Sequence, residues 1–171
     1  MEKFELARTH FGDRLQQSVR LSNYTTSRVG GLVPGLVVCN SADELAADAQ
    51  FLWQNEIPMK VLGSGSNVLV SEEGIDCIIL QNKAKKISFE TVDGQSVVHA
   101  ESGVTMITLA REVAQKGFDG LVWASTIPGT LGGAVYGNAG AHGGDTAHSL
   151  VMADILHRDN GRLSLNAEQM A

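Results

Sequence analysis

Apolar positions along the chain change their spacing several times, and each change marks an element. Phe4, Ala7, Phe11 and Leu15 recur at helical spacing with charges between them, so residues 2–17 read as a short amphipathic helix in spite of Gly12. Residues 36–39 form an apolar run of strand length. Ser41-Ala42-Asp43-Glu44 follows in the Ser-x-x-Glu form, where a serine hydroxyl and a glutamate carboxylate satisfy unpaired N–H groups at a helix start. Leu45, Ala49, Leu52 and Trp53 give that helix one apolar face, and Ile57-Pro58 ends it. Residues 59–62 and 77–80 read as two further strands. Strand, helix and strand of these lengths predict a right-handed βαβ unit, a small α/β layer.

After Lys83-Ala84-Lys85-Lys86 the pattern changes. Strands over 87–92 and 97–101 flank Asp93-Gly94, a hairpin signal. Thr105 is placed to cap a helix whose Ile107, Ala110, Val113 and Ala114 share a face and which ends at Gly117. A last strand pair, 150–157 and 162–165, surrounds Asp159-Asn160-Gly161. Asn166-Ala167-Glu168-Gln169 has the form of a further capping box, with barely a turn left before Ala171. A helix begun and not continued is expected of a truncated chain. The organisation predicted is an N-terminal helix over 1–20, a first α/β lobe over 21–83 and an incomplete α+β lobe over 84–171.

Composition narrows the partners. At 171 residues, 43% hydrophobic and 19% charged, the chain suits one medium domain or two small lobes. A net charge of −6 argues against nucleic acid or an anionic membrane surface as partner. The first residues interleave charges with apolar side chains, unlike a secretory signal, and no stretch reaches the length of a membrane span. Cys39 and Cys77 each sit among Val, Ile or Leu, where they read as small buried hydrophobes; a reducing cytoplasm is the simplest compartment.

The chemistry is concentrated in two glycine-rich stretches. Residues 123–145 crowd seven glycines among small and apolar residues, too many for a regular helix and too apolar a setting for a loose linker. Glycine lets a ligand lie against main-chain amides, and no Lys or Arg occurs between Gly117 and His157, so any phosphate bound by this stretch would be held by N–H groups. A tight chain crossing, in which glycines merely allow close packing, explains the same composition equally well. Upstream, the strand at 59–62 runs into Gly63-Ser64-Gly65-Ser66-Asn67. Val68 stands where a dinucleotide fingerprint needs glycine, and the Gly-Lys-Ser/Thr of a Walker loop is absent. What remains is a loop offering consecutive amides and the Ser64, Ser66 and Asn67 side chains to a pyrophosphate. His142, Asp145 and His148 fit no common zinc spacing, Trp123 reads as core, and no Gly-x-Ser-x-Gly elbow supports a hydrolase.

Taken in order, GSGSNVLV and IPGTLGGAVYGNAGAHGGD resemble the UDP-N-acetylenolpyruvoylglucosamine reductase family, flavoenzymes of peptidoglycan precursor synthesis. Tyr24-Thr25-Thr26-Ser27-Arg28-Val29-Gly30-Gly31 is similar to that family's N-terminal signature. The resemblance implies a two-lobe FAD-binding domain of the vanillyl-alcohol-oxidase-like superfamily type. It further implies noncovalent FAD, reduced by NADPH, which then passes hydride to the enolpyruvyl group of a UDP-sugar. By resemblance, Gly63, Ser64, Gly65, Ser66 and Asn67 belong to the pyrophosphate. Ile127, Pro128, Gly129, Thr130, Gly132, Gly133 and Ala134, with Gly140 and Ala141, belong to the flavin and diphosphate surroundings. The family's catalytic arginine, serine and glutamate lie in regions this sequence lacks, so no catalytic residue and no metal ligand is assigned within it. Two positions depart from the pattern: Val122 where Gly-Leu-Glu is usual, and Thr126 where glycine precedes Ile-Pro-Gly. A flavin oxidase of the same superfamily lacks a tethering His or Cys context here; a truncated, non-catalytic flavin-binding or interaction module is the alternative.

Overall fold

The computed structural model describes residues 2–92 and 94–170, and the chain divides into two compact units, Met1–Lys85 and Lys86–Ala171. In the first unit, α1 (Glu2–Phe11) is shorter than its apolar spacing predicts. Gly12 turns the chain with φ +52°, and Leu15–Arg20 is not helix but strand β1, paired antiparallel with β2 (Leu32–Cys39). Leu15 therefore faces Val37 across a ladder instead of extending a helical face, and the pairing skips Ser18 and Pro34, where Ser18 has φ +51° and proline has no N–H to give.

Helix α2 (Ala42–Gln54) starts as its capping residues require: Ser41 accepts the Glu44 N–H at 3.1 Å, and the Glu44 carboxylate takes the N–H of Asn40 at 2.7 Å. Such a cap contributes about 1 kcal/mol. Strands β3 (Met59–Leu62) and β4 (Ile78–Asn82) complete a sheet of order β1-β2-β4-β3, in which β2, β3 and β4 are parallel. Strand β4 thus lies between the two strands that α2 connects, and all five of its residues are buried. Its polar end, Gln81-Asn82, continues the strand two residues past the apolar run expected at 77–80. Leu21, Val33, Leu36, Leu62, Val70, Cys77 and Ile79 form one core cluster on this sheet. Asp48 of α2 is 3% exposed and holds Arg14 through both carboxylate oxygens, tying the turn after α1 to the helix. Cys39 and Cys77 are both buried and free.

In the second unit, β5 (Ile87–Val92) and β6 (Gln95–Ala100) form the expected hairpin; Asp93 of its turn lies outside the described residues, and Gly94 has φ +79°. Helix α3 (Met106–Gln115) begins at Thr105, whose hydroxyl accepts the Thr108 N–H at 3.2 Å. Its buried side chains are Met106, Leu109, Ala110 and Val113, while Ile107, expected to face inward, is 47% exposed. Leu109 and Val113 pack with the hairpin; Met106 and Ala110 pack with Ala124 and Ala134 of the glycine segment. That segment contains a short helix after all, α4 (Leu131–Tyr136), then the two-residue strands β7 (Gly140–Ala141) and β8 (Gly144–Asp145), and a second short helix, α5 (Thr146–Ser149), follows directly on it. Strands β9 (Ala153–His157) and β10 (Gly161–Leu165) close the unit as a hairpin. Asn166 and Gln169 then exchange side chain to backbone bonds at 2.9 Å, a reciprocal cap on the 3₁₀ turn Glu168–Met170. No helix among the described residues is long and apolar enough to cross a membrane.

Candidate functional site

The carboxyl end of β3 delivers Gly63–Asn67 to one side of the parallel strands, the end at which open α/β sheets place their ligands. The loop is braced by the Thr-rich turn of the first unit: the Thr26 N–H donates to the Gly65 carbonyl at 3.0 Å, and a Cβ on Gly65 would strike the Tyr24 carbonyl oxygen. Gly65 is therefore glycine because Tyr24 is there. The Ser64 and Ser66 hydroxyls pair at 2.9 Å. Beside the loop opens a cavity of about 460 Å³, within the size range of small-molecule sites, lined by Asn23, Tyr24, Thr25, Thr26, Ser64, Gln81 and Lys83. Gly63, Gly65, Ser66 and Asn67 do not line it.

The Arg-Val-Gly-Gly step is also explained by packing. A Cβ on Gly31 would collide with the Glu72 carbonyl oxygen, and Gly30, with φ +142°, lies against Leu21 and Val70. Arg28, with φ +55°, lines a second cavity of about 360 Å³ together with Arg20, Ser22 and Glu72.

The glycine segment of the second unit divides in two by the same measure. Leu131 and Gly132 give their N–H groups to the carbonyls of Val104 (2.7 Å) and Ser102 (2.8 Å), which removes both from the amides able to face a ligand. A Cβ on Gly132 would meet Ser102 at 2.9 Å, and one on Gly140 would meet the Gly144 carbonyl at 2.9 Å, so these two pack against protein. Trp123, half-buried, lies over Gly144, where a Cβ would come within 2.6 Å of the ring, and its Nε1–H donates to Ser149 at 3.1 Å. Gly129 and Gly133 differ. Nothing stands within 4 Å of a Cβ on Gly129, whose φ is +125°, and only the Thr130 hydroxyl, at 3.6 Å, approaches one on Gly133. Ile127 and Ala141 are half-buried, Thr130 and Ala134 are buried and Pro128 is exposed.

Thr126, in its departure from glycine, reaches the Nε2 of His142 at 3.3 Å, while Val122 is 60% exposed. Asp145 caps α5 by accepting the His148 N–H at 2.9 Å, and that bond, with the nearby His148 ring, holds its carboxyl below the ordinary range. In the first unit, burial and the hydrogen bond to Asp48 push the Cys39 thiol up to about 12.

Residues 33–164 match the family described as FAD binding domain. The chain belongs to that family. Within the FAD binding domain family, it is 37% identical over 156 residues to the UDP-N-acetylenolpyruvoylglucosamine reductase of Synechococcus sp. (strain RCC307), covering 89% of this chain and 50% of that one. Among solved structures, UDP-N-acetylenolpyruvylglucosamine reductase from Thermus caldophilus superposes with a TM-score of 0.71 at 29% identity, over 91% of this chain and 53% of the other. Alkyldihydroxyacetonephosphate synthase shares the fold alone, with a TM-score of 0.69 at 17% identity over 98% of this chain and 35% of that one. The fold is therefore the vanillyl-alcohol-oxidase-like FAD-binding type, and the assignment supports FAD as cofactor. The chain spans about half the length of the curated relatives it matches.

The loop at 63–67 stands out in the sequence, but Lys83 reads there only as part of the basic stretch after which the pattern changes, and the preceding strand as ending at Leu80, so Gln81 and Lys83 go unassigned. Two polar residues prolonging an apolar central strand are the signal that could have found them.

Proposed function

We propose that this chain is the FAD-binding portion of an NADPH-dependent UDP-N-acetylenolpyruvoylglucosamine reductase, a cytoplasmic enzyme of peptidoglycan precursor synthesis and, through it, of cell shape and division. The observation that carries the reading is the cavity at the carboxyl end of β3, where Ser64 of the glycine loop meets the Thr25-Thr26 turn. Amides and hydroxyls of Gly63, Ser64, Gly65, Ser66 and Asn67 hold the pyrophosphate. Ile127, Pro128, Gly129, Thr130, Gly133, Ala134 and Ala141, with Gly132 and Gly140 as packing residues, form the flavin and diphosphate surroundings. The open space over Gly129 and Gly133 fits a ligand lying against backbone. Bound FAD supplies two-electron chemistry, and the protein's part is to orient the ring and exclude competing reactions. The UDP-sugar is engaged by a region outside this chain.

Titration of the purified protein with FAD tests the reading. Saturable quenching of flavin fluorescence, with the flavin released on denaturation, is the expected result. A folded sample that binds no FAD would overturn it. Given bound FAD, anaerobic bleaching of the flavin absorbance by NADPH, faster than by NADH, tests the donor.

A further inference from the structure

The cavity beside Gly63–Asn67 has a second polar wall that the glycine loop does not supply. Gln81, near the end of central strand β4, is 8% exposed, yet it lines the cavity and its amide has no hydrogen-bond partner among the described residues. Since no fully buried side-chain nitrogen or oxygen lacks a partner there, that amide is open to the cavity. Lys83 lies two residues on, half-buried, and its ammonium likewise has no ion pair among the described residues. Its position is fixed by the backbone: the Lys83 N–H donates to the Cys39 carbonyl at the end of β2 at 2.8 Å, and the Asn82 side chain accepts the Ala84 N–H at 3.1 Å.

No carboxylate among the described residues lines this cavity, in a chain whose net charge is −6. The cavity around Arg20 and Arg28, by contrast, contains Glu72. Lys83 with its unpaired ammonium, Gln81 with its open amide, Ser64 and Thr26 thus line one cavity that has no negative group among its described lining residues. An ammonium is a compact cation that binds phosphate as a point charge, and it is stronger where water is partly excluded. Resting on the FAD reading above, we infer that Lys83, supported by Gln81, binds a phosphate of the dinucleotide, so that the first unit selects a nucleoside diphosphate over a phosphate-free flavin.

The test compares the wild-type chain with Lys83→Met and Lys83→Arg, using FAD, riboflavin and ADP as probes and thermal unfolding to verify that each variant is folded. Lys83→Met should weaken FAD binding about tenfold at low salt, as loss of a charge-assisted hydrogen bond does, with a smaller difference at about 0.5 M salt. Riboflavin affinity should not change, and Lys83→Arg should recover most of the loss. Equal FAD affinity of wild type and Lys83→Met, or an equal loss for riboflavin, overturns the inference while leaving the FAD reading intact. If the wild type binds no FAD, that reading falls, and ADP decides this one: binding that Lys83→Met weakens sustains it, and no binding overturns it.

Discussion

The two glycine-rich stretches look alike in composition and differ in what their glycines are for. In the first unit, Gly65 and Gly31 are forced by neighbouring carbonyl oxygens that a Cβ would strike. In the second, Gly132, Gly140 and Gly144 are forced in the same way by Ser102, by the Gly144 carbonyl and by Trp123, but Gly129 and Gly133 face open space. Glycine density therefore marks a place where backbone comes close to something. Whether that partner is protein or ligand is decided residue by residue.

The contrast can be broken most sharply at Gly65. Gly65→Ala would drive a Cβ into the Tyr24 carbonyl at φ +70°, and it should destabilise the protein by about 3 kcal/mol or more, read from the urea midpoint. Gly133→Ala should do the opposite to folding, leaving apo stability unchanged or raised by up to about 1 kcal/mol because alanine favours α4, while FAD affinity falls about tenfold or more. Parallel losses of stability and affinity would return Gly133 to the packing class. Gly129→Ala falls between them: no atom is in the way, but φ +125° strains an L residue, so about 1–2 kcal/mol of apo stability should be lost.

The smallest effect concerns the sheet beneath the first loop. A thiol in the unfolded chain ionises near about pH 8.5, whereas Cys39 in the fold stays neutral to about 12. Above that unfolded-state value the unfolded chain therefore sheds a proton that the native state keeps, and stability falls as pH rises, by about 1 kcal/mol at about pH 9. Urea midpoints of wild type and Cys39→Ala at neutral and alkaline pH check the sign: the pH-dependent loss should shrink in the variant.

What the sequence made legible follows the same division. Elements specified by local chemistry were readable: the Ser41 and Thr105 caps, the β5–β6 pair and the reciprocal Asn166–Gln169 bonds all depend on residues a few positions apart. Strand β1 was not, because Gln16, Gln17 and Ser18 give no alternation and the helical spacing of Leu15 with Phe11 is accidental; only pairing with β2, a distant partner, makes it a strand. The helix α4 was hidden by its glycines, since bonds from Leu131 and Gly132 to Val104 and Ser102 anchor its first turn from outside. Of the site, the loop at 63–67 was visible as a motif, while Gln81 and Lys83 became visible only once β4 was known to lie between β2 and β3.

Trp123, lodged against Gly144 in the second unit, has a single counterpart, Trp53 on α2 in the first. Each unit thus contains its own intrinsic fluorophore. With either indole replaced by phenylalanine, tryptophan emission reports on one unit alone, so the order in which the two melt, and which of them a nucleotide protects, becomes an optical measurement.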